Sequence, residues 1–131
     1  MLGWLIALLL MPHEPASTLL DRGRKLTVER SYELAIWTFG QALVRDPTMA
    51  RAYSGRGYAK LSAKRLDGTH ADFERAASLE PDAKFQALVW NHMGQVDELA
   101  GDATTAIGEY ERALTYAPNK SASEALKRLK P

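Results

Sequence analysis

The chain contains no cysteine. Disulfides, thiolate metal sites and cysteine nucleophiles are therefore excluded together. Histidine is scarce too: His13, His70 and His92 are far apart and show no metal-ligand spacing such as HExxH. His70, with Asp72 and Glu74 close by in sequence, reads as an ordinary solvated cluster. Runs of β-branched residues are missing, which leaves little from which to build strands. No GxSxG is present, and "SGRGYAK" (residues 54–60) is neither a P-loop nor a dinucleotide fingerprint. Basic residues are not interleaved with aromatics along one face, so nothing suggests nucleic acid. These absences point away from an enzyme and from any cofactor or metal.

What remains is rich in Leu, Ala, Glu and Arg, a helix-forming composition in 131 residues with a net charge of +1. That small net charge hides a polarity. Residues 12–65 carry 10 Lys and Arg against 5 Asp and Glu, residues 66–118 carry 3 against 10, and residues 119–131 carry 4 against 1. Such a separation gives the molecule a dipole that can steer a partner.

Three stretches share a register. Pro47, Pro81 and Pro118 each follow a glycine by 24 residues, namely Gly23, Gly57 and Gly94. Leu19, Tyr53 and Trp90 stand four residues before those glycines. Phe39, Phe73 and Tyr110 stand eight before the prolines, and Ala42, Ala76 and Ala113 five before. Ala35 and Ala106 match a further four upstream, where the middle copy has Thr69. In the first half of each copy the large residue and the glycine share one helix face. In the second half Ala35, Phe39 and Ala42 do the same, as do Ala106, Tyr110 and Ala113. A glycine inside a helix costs about 1 kcal/mol relative to alanine, so its repeated use implies a close approach that a Cβ would block. Proline ends each copy because it cannot continue a helix.

This pattern, a 34-residue period between Pro47 and Pro81, resembles the tetratricopeptide repeat (TPR). The resemblance covers residues 16–118 and implies an all-α, right-handed α-solenoid of three helix-turn-helix repeats, near 16–49, 50–83 and 87–120. About three extra residues around Asp82 to Gln86 are expected to lengthen the turn between the second and third repeats. Residues 119–131 read as a C-terminal capping helix. Ser121 with Glu124 gives a capping-box signature, and Ala122, Ala125, Leu126 and Leu129 form an apolar stripe. A basic amphipathic helix lying on a membrane is the competing reading.

Arrays of this family line a concave groove with the first helix of each pair and bind peptides or protein segments there. Carried over by position, the groove presents Arg24, Arg51, Tyr58, Asn91, His92 and Gln95, a set suited to an extended polar peptide with some negative charge. The variant that grips carboxylate-ending chaperone tails has Leu20, Arg24, Gly55, Leu88 and His92 at its clamp positions here, and among these only Arg24 has a suitable charge. Trp37 falls outside the signature and is a candidate contact on the convex side.

Residues 1–15 open with "MLGWLIALLLM". That is too short to span a bilayer, which takes about 20 apolar residues, but it fits the apolar region of a signal peptide. Trp4, Leu5, Leu8 and Leu9 then serve as a membrane or partner arm; an apolar cap on the first repeat is the alternative. The expected function is a non-catalytic interaction module, an adaptor or assembly factor in a membrane or envelope complex, membrane-associated or exported. The alternatives are a permanent subunit of a membrane complex or a cytoplasmic chaperone-type adaptor.

Overall fold

The computed structural model describes residues 14–131, and the readings placed on Trp4, Leu5, Leu8 and Leu9 fall outside them. The described residues are all-helical: α1 (Ala16–Val28), α2 (Tyr32–Arg45), α3 (Ala50–Ser62), α4 (Thr69–Leu79), α5 (Ala83–Leu99), α6 (Ala103–Tyr116) and α7 (Lys120–Leu129). They pair as α1 with α2, α3 with α4, and α5 with α6, and each pair packs on the next, giving a solenoid of helical repeats.

The glycine–aromatic register explains the stacking. Phe39, Phe73 and Tyr110 are all essentially buried. A Cβ on Gly23 would lie 2.6 Å from the Phe39 ring, on Gly57 2.9 Å from Phe73, and on Gly94 2.6 Å from Tyr110. The expected close approach is therefore that of an aromatic ring from the second helix against the bare backbone of the first. Gly55 adds a contact that the spacing did not reveal, with its Cβ position 2.7 Å from the same Phe39 ring. Phe39 is thus wedged between two glycines on successive first helices.

The turns inside the pairs are also alike. Arg30, Lys64 and Gly101 all have positive φ, at 63°, 58° and 84°. The following amides of Ser31, Arg65 and Asp102 reach back to the carbonyls of Leu26, Lys60 and Asp97 at 2.9, 2.9 and 2.8 Å. These bonds close each first helix with a Schellman-type turn. Only the third turn uses the residue best suited to it.

Two expectations are corrected. The extra residues near Asp82 do not lengthen the turn between α4 and α5. Asp82 caps α5, accepting from the Phe85 amide, and α5 runs 17 residues against 13 for α1 and α3. An insertion close to one helical turn extends the helix without rotating its downstream faces. The last helix begins at Lys120, one residue before the supposed cap, and Asn119 caps it through the Ala122 amide. Ser121 lies inside the helix. The apolar stripe does dock on the last repeat: Ala122 and Ala125 are buried with Ala106, Tyr110 and Ala113. Arg128 locks α7 in place by donating to both carboxylate oxygens of Glu98 at 2.7 and 2.9 Å, while the Tyr110 hydroxyl donates to Glu98 Oε1 at 2.6 Å.

Candidate functional site

The first helices α1, α3 and α5 enclose a notch of about 190 Å³, lined by Arg24, Arg51, Ser54, Gly55, Tyr58, Phe85, Leu88 and His92. Four of the six groove residues expected from the sequence, Arg24, Arg51, Tyr58 and His92, meet there. Its volume is below the roughly 300 Å³ at which pockets for small molecules begin. No carboxylate is among the residues lining it. The arginine side chains are half exposed, at 49% and 55%, and their nearest acids, Asp21 and Glu80, are at 3.5 and 4.0 Å. Contacts that loose leave both guanidinium groups able to turn to a ligand.

The floor is aromatic. The Arg51 guanidinium lies 5.5 Å from the centre of the Phe85 ring, and the His92 ring lies 5.1 Å from Tyr58 and 5.3 Å from Phe73. Phe85 was missed by sequence reasoning because it belongs to the extra turn of α5, for which the other repeats have no counterpart. His92 occupies the repeat position held by Gly55 one copy earlier, two residues before the signature glycine. There it closes over the Phe73 ring.

Two expected groove residues lie elsewhere. Asn91 is 3% exposed and its Oδ1 is enclosed without a hydrogen-bond partner; one residue's rotation, about 100°, turns it into the core beside His92. Gln95 lies farther along α5, where it lines two shallow hollows with Glu98 and not the notch. Leu20, at a clamp position, is likewise buried. Trp37 is 60% exposed on α2, in one stripe with Leu34 and Val44.

Burial pushes the His92 imidazole down to about 4, whereas an unfolded histidine titrates near 6.5. Below that value the unfolded chain takes up a proton that the folded chain refuses. The stabilisation is therefore present above about pH 6.5 and is lost as pH falls toward 4. Allowing for the part of the ring that water reaches, the loss is about 2–3 kcal/mol. Urea unfolding across this window should show His92→Gln less acid-sensitive than the wild type by that amount. Parallel pH profiles would contradict the burial of a neutral ring.

A larger hollow of about 610 Å³ lies between α4, α5 and α6, around Ala77, Ser78, Trp90 and Tyr116. Part of its polar lining is already engaged. The Gln86 amide donates to the carbonyls of Ala77 and Glu80, both at 2.7 Å, and its oxygen accepts from Trp90 Nε1. Arg112 stacks on the Trp90 ring at 4.0 Å.

The solvated cluster expected around His70 is also corrected. Asp72 is buried and faces α3, where Arg56 holds it through bonds of 2.9 and 2.7 Å and Lys60 stands at 3.4 Å. His70 instead meets Glu74, Asp97 and Glu109. Burial, and then the Asp97 carboxyl beside it, push the Glu109 carboxyl up to about 7.

Comparisons agree with this architecture. No protein-family model matches the chain. It is 31% identical over 113 residues to small glutamine-rich tetratricopeptide repeat-containing protein 2 of Saccharomyces cerevisiae, covering 86% of this chain and 32% of that protein. It is also 31% identical over 110 residues to the tetratricopeptide repeat and J domain-containing co-chaperone DNJ1 of Cryptococcus neoformans, covering 84% and 20%. The chain thus spans about a third or less of the length of these relatives. The second TPR domain of human RPAP3, solved in complex with the HSP70 peptide SGPTIEEVD, superposes with a TM-score of 0.79 at 24% identity, covering 88% of this chain and 95% of that one. Helix pairing, the glycine–aromatic wedges and these likenesses agree: the chain is a tetratricopeptide-repeat protein.

Proposed function

We propose that the chain is a non-catalytic interaction module of the chaperone-adaptor type, which takes an extended acidic peptide across α1, α3 and α5. The observation that carries this is the convergence of Arg24 and Arg51, from successive repeats, on one notch floored by Phe85, Tyr58 and His92. Guanidinium groups hold carboxylates through charge-assisted bonds, and the aromatic floor accepts an apolar side chain between them. Arg51 supplies a second cation beside Arg24, which the clamp positions taken alone did not offer. A relative named as a co-chaperone and a neighbour solved with an acidic peptide support the same reading. The envelope role has less behind it. It rests on residues 1–11, and no helix among the described residues is long and apolar enough to cross a membrane.

Fluorescence anisotropy with labelled SGPTIEEVD, carrying either a free or an amidated C-terminus, tests the reading. A hydrogen bond to a charged group contributes about 1.5–3 kcal/mol. Losing one such bond weakens binding about 10- to 100-fold, so Arg24→Ala with Arg51→Ala should weaken binding of the free acid by at least that factor. Both side chains are exposed, so the fold should survive. Unchanged affinity in the double variant, or equal binding of a charge-neutral peptide, would overturn the proposal.

A further inference from the structure

The residue just before each signature aromatic is buried and polar: Thr38, Asp72 and Glu109. Each copy satisfies it differently. The Thr38 hydroxyl donates to the Leu34 carbonyl of its own helix at 2.7 Å. Asp72 receives Arg56 and Lys60 from the preceding helix. In the third copy the positions of Arg56 and Lys60 are held by Met93 and Asp97. Glu109 has thus lost both cations and gained a second carboxylate.

The only basic group brought to this carboxylate pair among the described residues is His70, from α4. Its Nε2 lies 2.6 Å from Glu109 Oε1 and 3.4 Å from Asp97 Oδ2, and its Nδ1 lies 2.8 Å from Glu74 Oε1. One donor atom from each of His70, Asp97 and Glu109 lies within 4.8 Å of the others. The Glu109 side chain is 10% exposed, and Glu109 Oε2 and Asp97 Oδ2 are both enclosed without a hydrogen-bond partner. Asp97 and Glu109 set two largely buried carboxylates against one imidazole, while Glu74 on its far side is open to solvent. Buried charge without a counter-charge is costly.

We infer that His70, Asp97 and Glu109 form a binding site for a divalent transition-metal cation of the zinc class. The donor set, one imidazole and two carboxylates, suits zinc better than calcium or magnesium, which take six or more oxygens. Zinc bonds of about 2.0–2.2 Å at tetrahedral angles set ligand atoms roughly 3.3 Å apart. The Nε2–Asp97 distance of 3.4 Å already matches, and the Nε2–Glu109 contact of 2.6 Å widens as the metal replaces its shared proton. Glu74 accepts from Nδ1–H, which fixes the tautomer and presents the Nε2 lone pair to the site. His70 is 32% exposed, giving the ion a route in and leaving room for a water as fourth ligand. A bound ion ties α4 to both α5 and α6 and so stiffens the junction of the second and third repeats.

Calorimetric titration of the purified full chain with zinc chloride, after chelator treatment, tests this. The expected result is one saturable site and a rise in melting temperature with zinc. Binding should be lost in His70→Gln and in Glu109→Gln, and weakened about 10-fold in Glu74→Ala. Cobalt added to the wild type should give the strong visible absorption of a four-coordinate site, which keeps the test valid if a variant misfolds. No saturable zinc binding, or wild-type affinity in His70→Gln, would overturn the inference.

Discussion

Phe39→Ala is expected to destabilise the chain by about 3–5 kcal/mol, the range for emptying a buried phenylalanine site. The ring is 1% exposed and sits between the bare backbones of Gly23 and Gly55, on helices from two different repeats. Helix backbones cannot collapse into the space it leaves, so most of the cavity cost persists. The loss is a large share of the 5–15 kcal/mol typical of a domain. The same geometry predicts opposite signs for two glycines that are alike on propensity alone. Alanine at Gly55 should destabilise by about 1–3 kcal/mol, because its Cβ overlaps a ring that has nowhere to go. Alanine at Gly108, inside α6 with nothing within 4 Å, should stabilise by up to about 1 kcal/mol. Urea unfolding followed by circular dichroism distinguishes the two. A stabilised Gly55→Ala would show that the wedge is not tight.

Asp72→Asn should cost about 3 kcal/mol. Asp72 is 5% exposed and serves Arg56 and Lys60 together, whose side chains are 27% and 12% exposed. Removing the acid leaves two mostly buried cations one turn apart on α3 without a counter-charge. Breaking a buried pair in this way costs about 3–5 kcal/mol; the lower end applies because Arg56 can still reach water. Replacing all three residues with apolar ones of similar size, Arg56→Met, Lys60→Met and Asp72→Leu, should recover most of the loss. A mild Asp72→Asn would instead mean that water already screens the trio.

The repeat was legible because it is written at fixed spacings: large residue, glycine, alanine, aromatic, proline. Those residues meet their partners within one copy or the next, so the register alone gives the helix pairs. The inserted residues were harder, since aligning prolines shows that the chain is longer without showing whether a turn or a helix grew. Asn91 and His92 are adjacent, and a small error in helix phase moves one into the core and the other into the notch. The His70 cluster was invisible for a different reason. His70 and Glu109 are 39 residues apart, and only the stacking of α4 on the third pair brings them together. A position-by-position comparison of the copies offers the one available signal, Asp97 standing where Lys60 stands. Gly55 was hidden within a pair of glycines of which one already had an explanation.

The most direct test of the groove is to titrate the isotope-labelled chain with the unlabelled acidic peptide SGPTIEEVD and map which backbone amides shift. The largest changes are expected at Ser54, Gly55, Tyr58, Leu88 and His92, around the notch between α1, α3 and α5. Shifts concentrated instead at Ala77, Ser78, Trp90 and Tyr116 would place the peptide in the hollow between α4, α5 and α6 and contradict it.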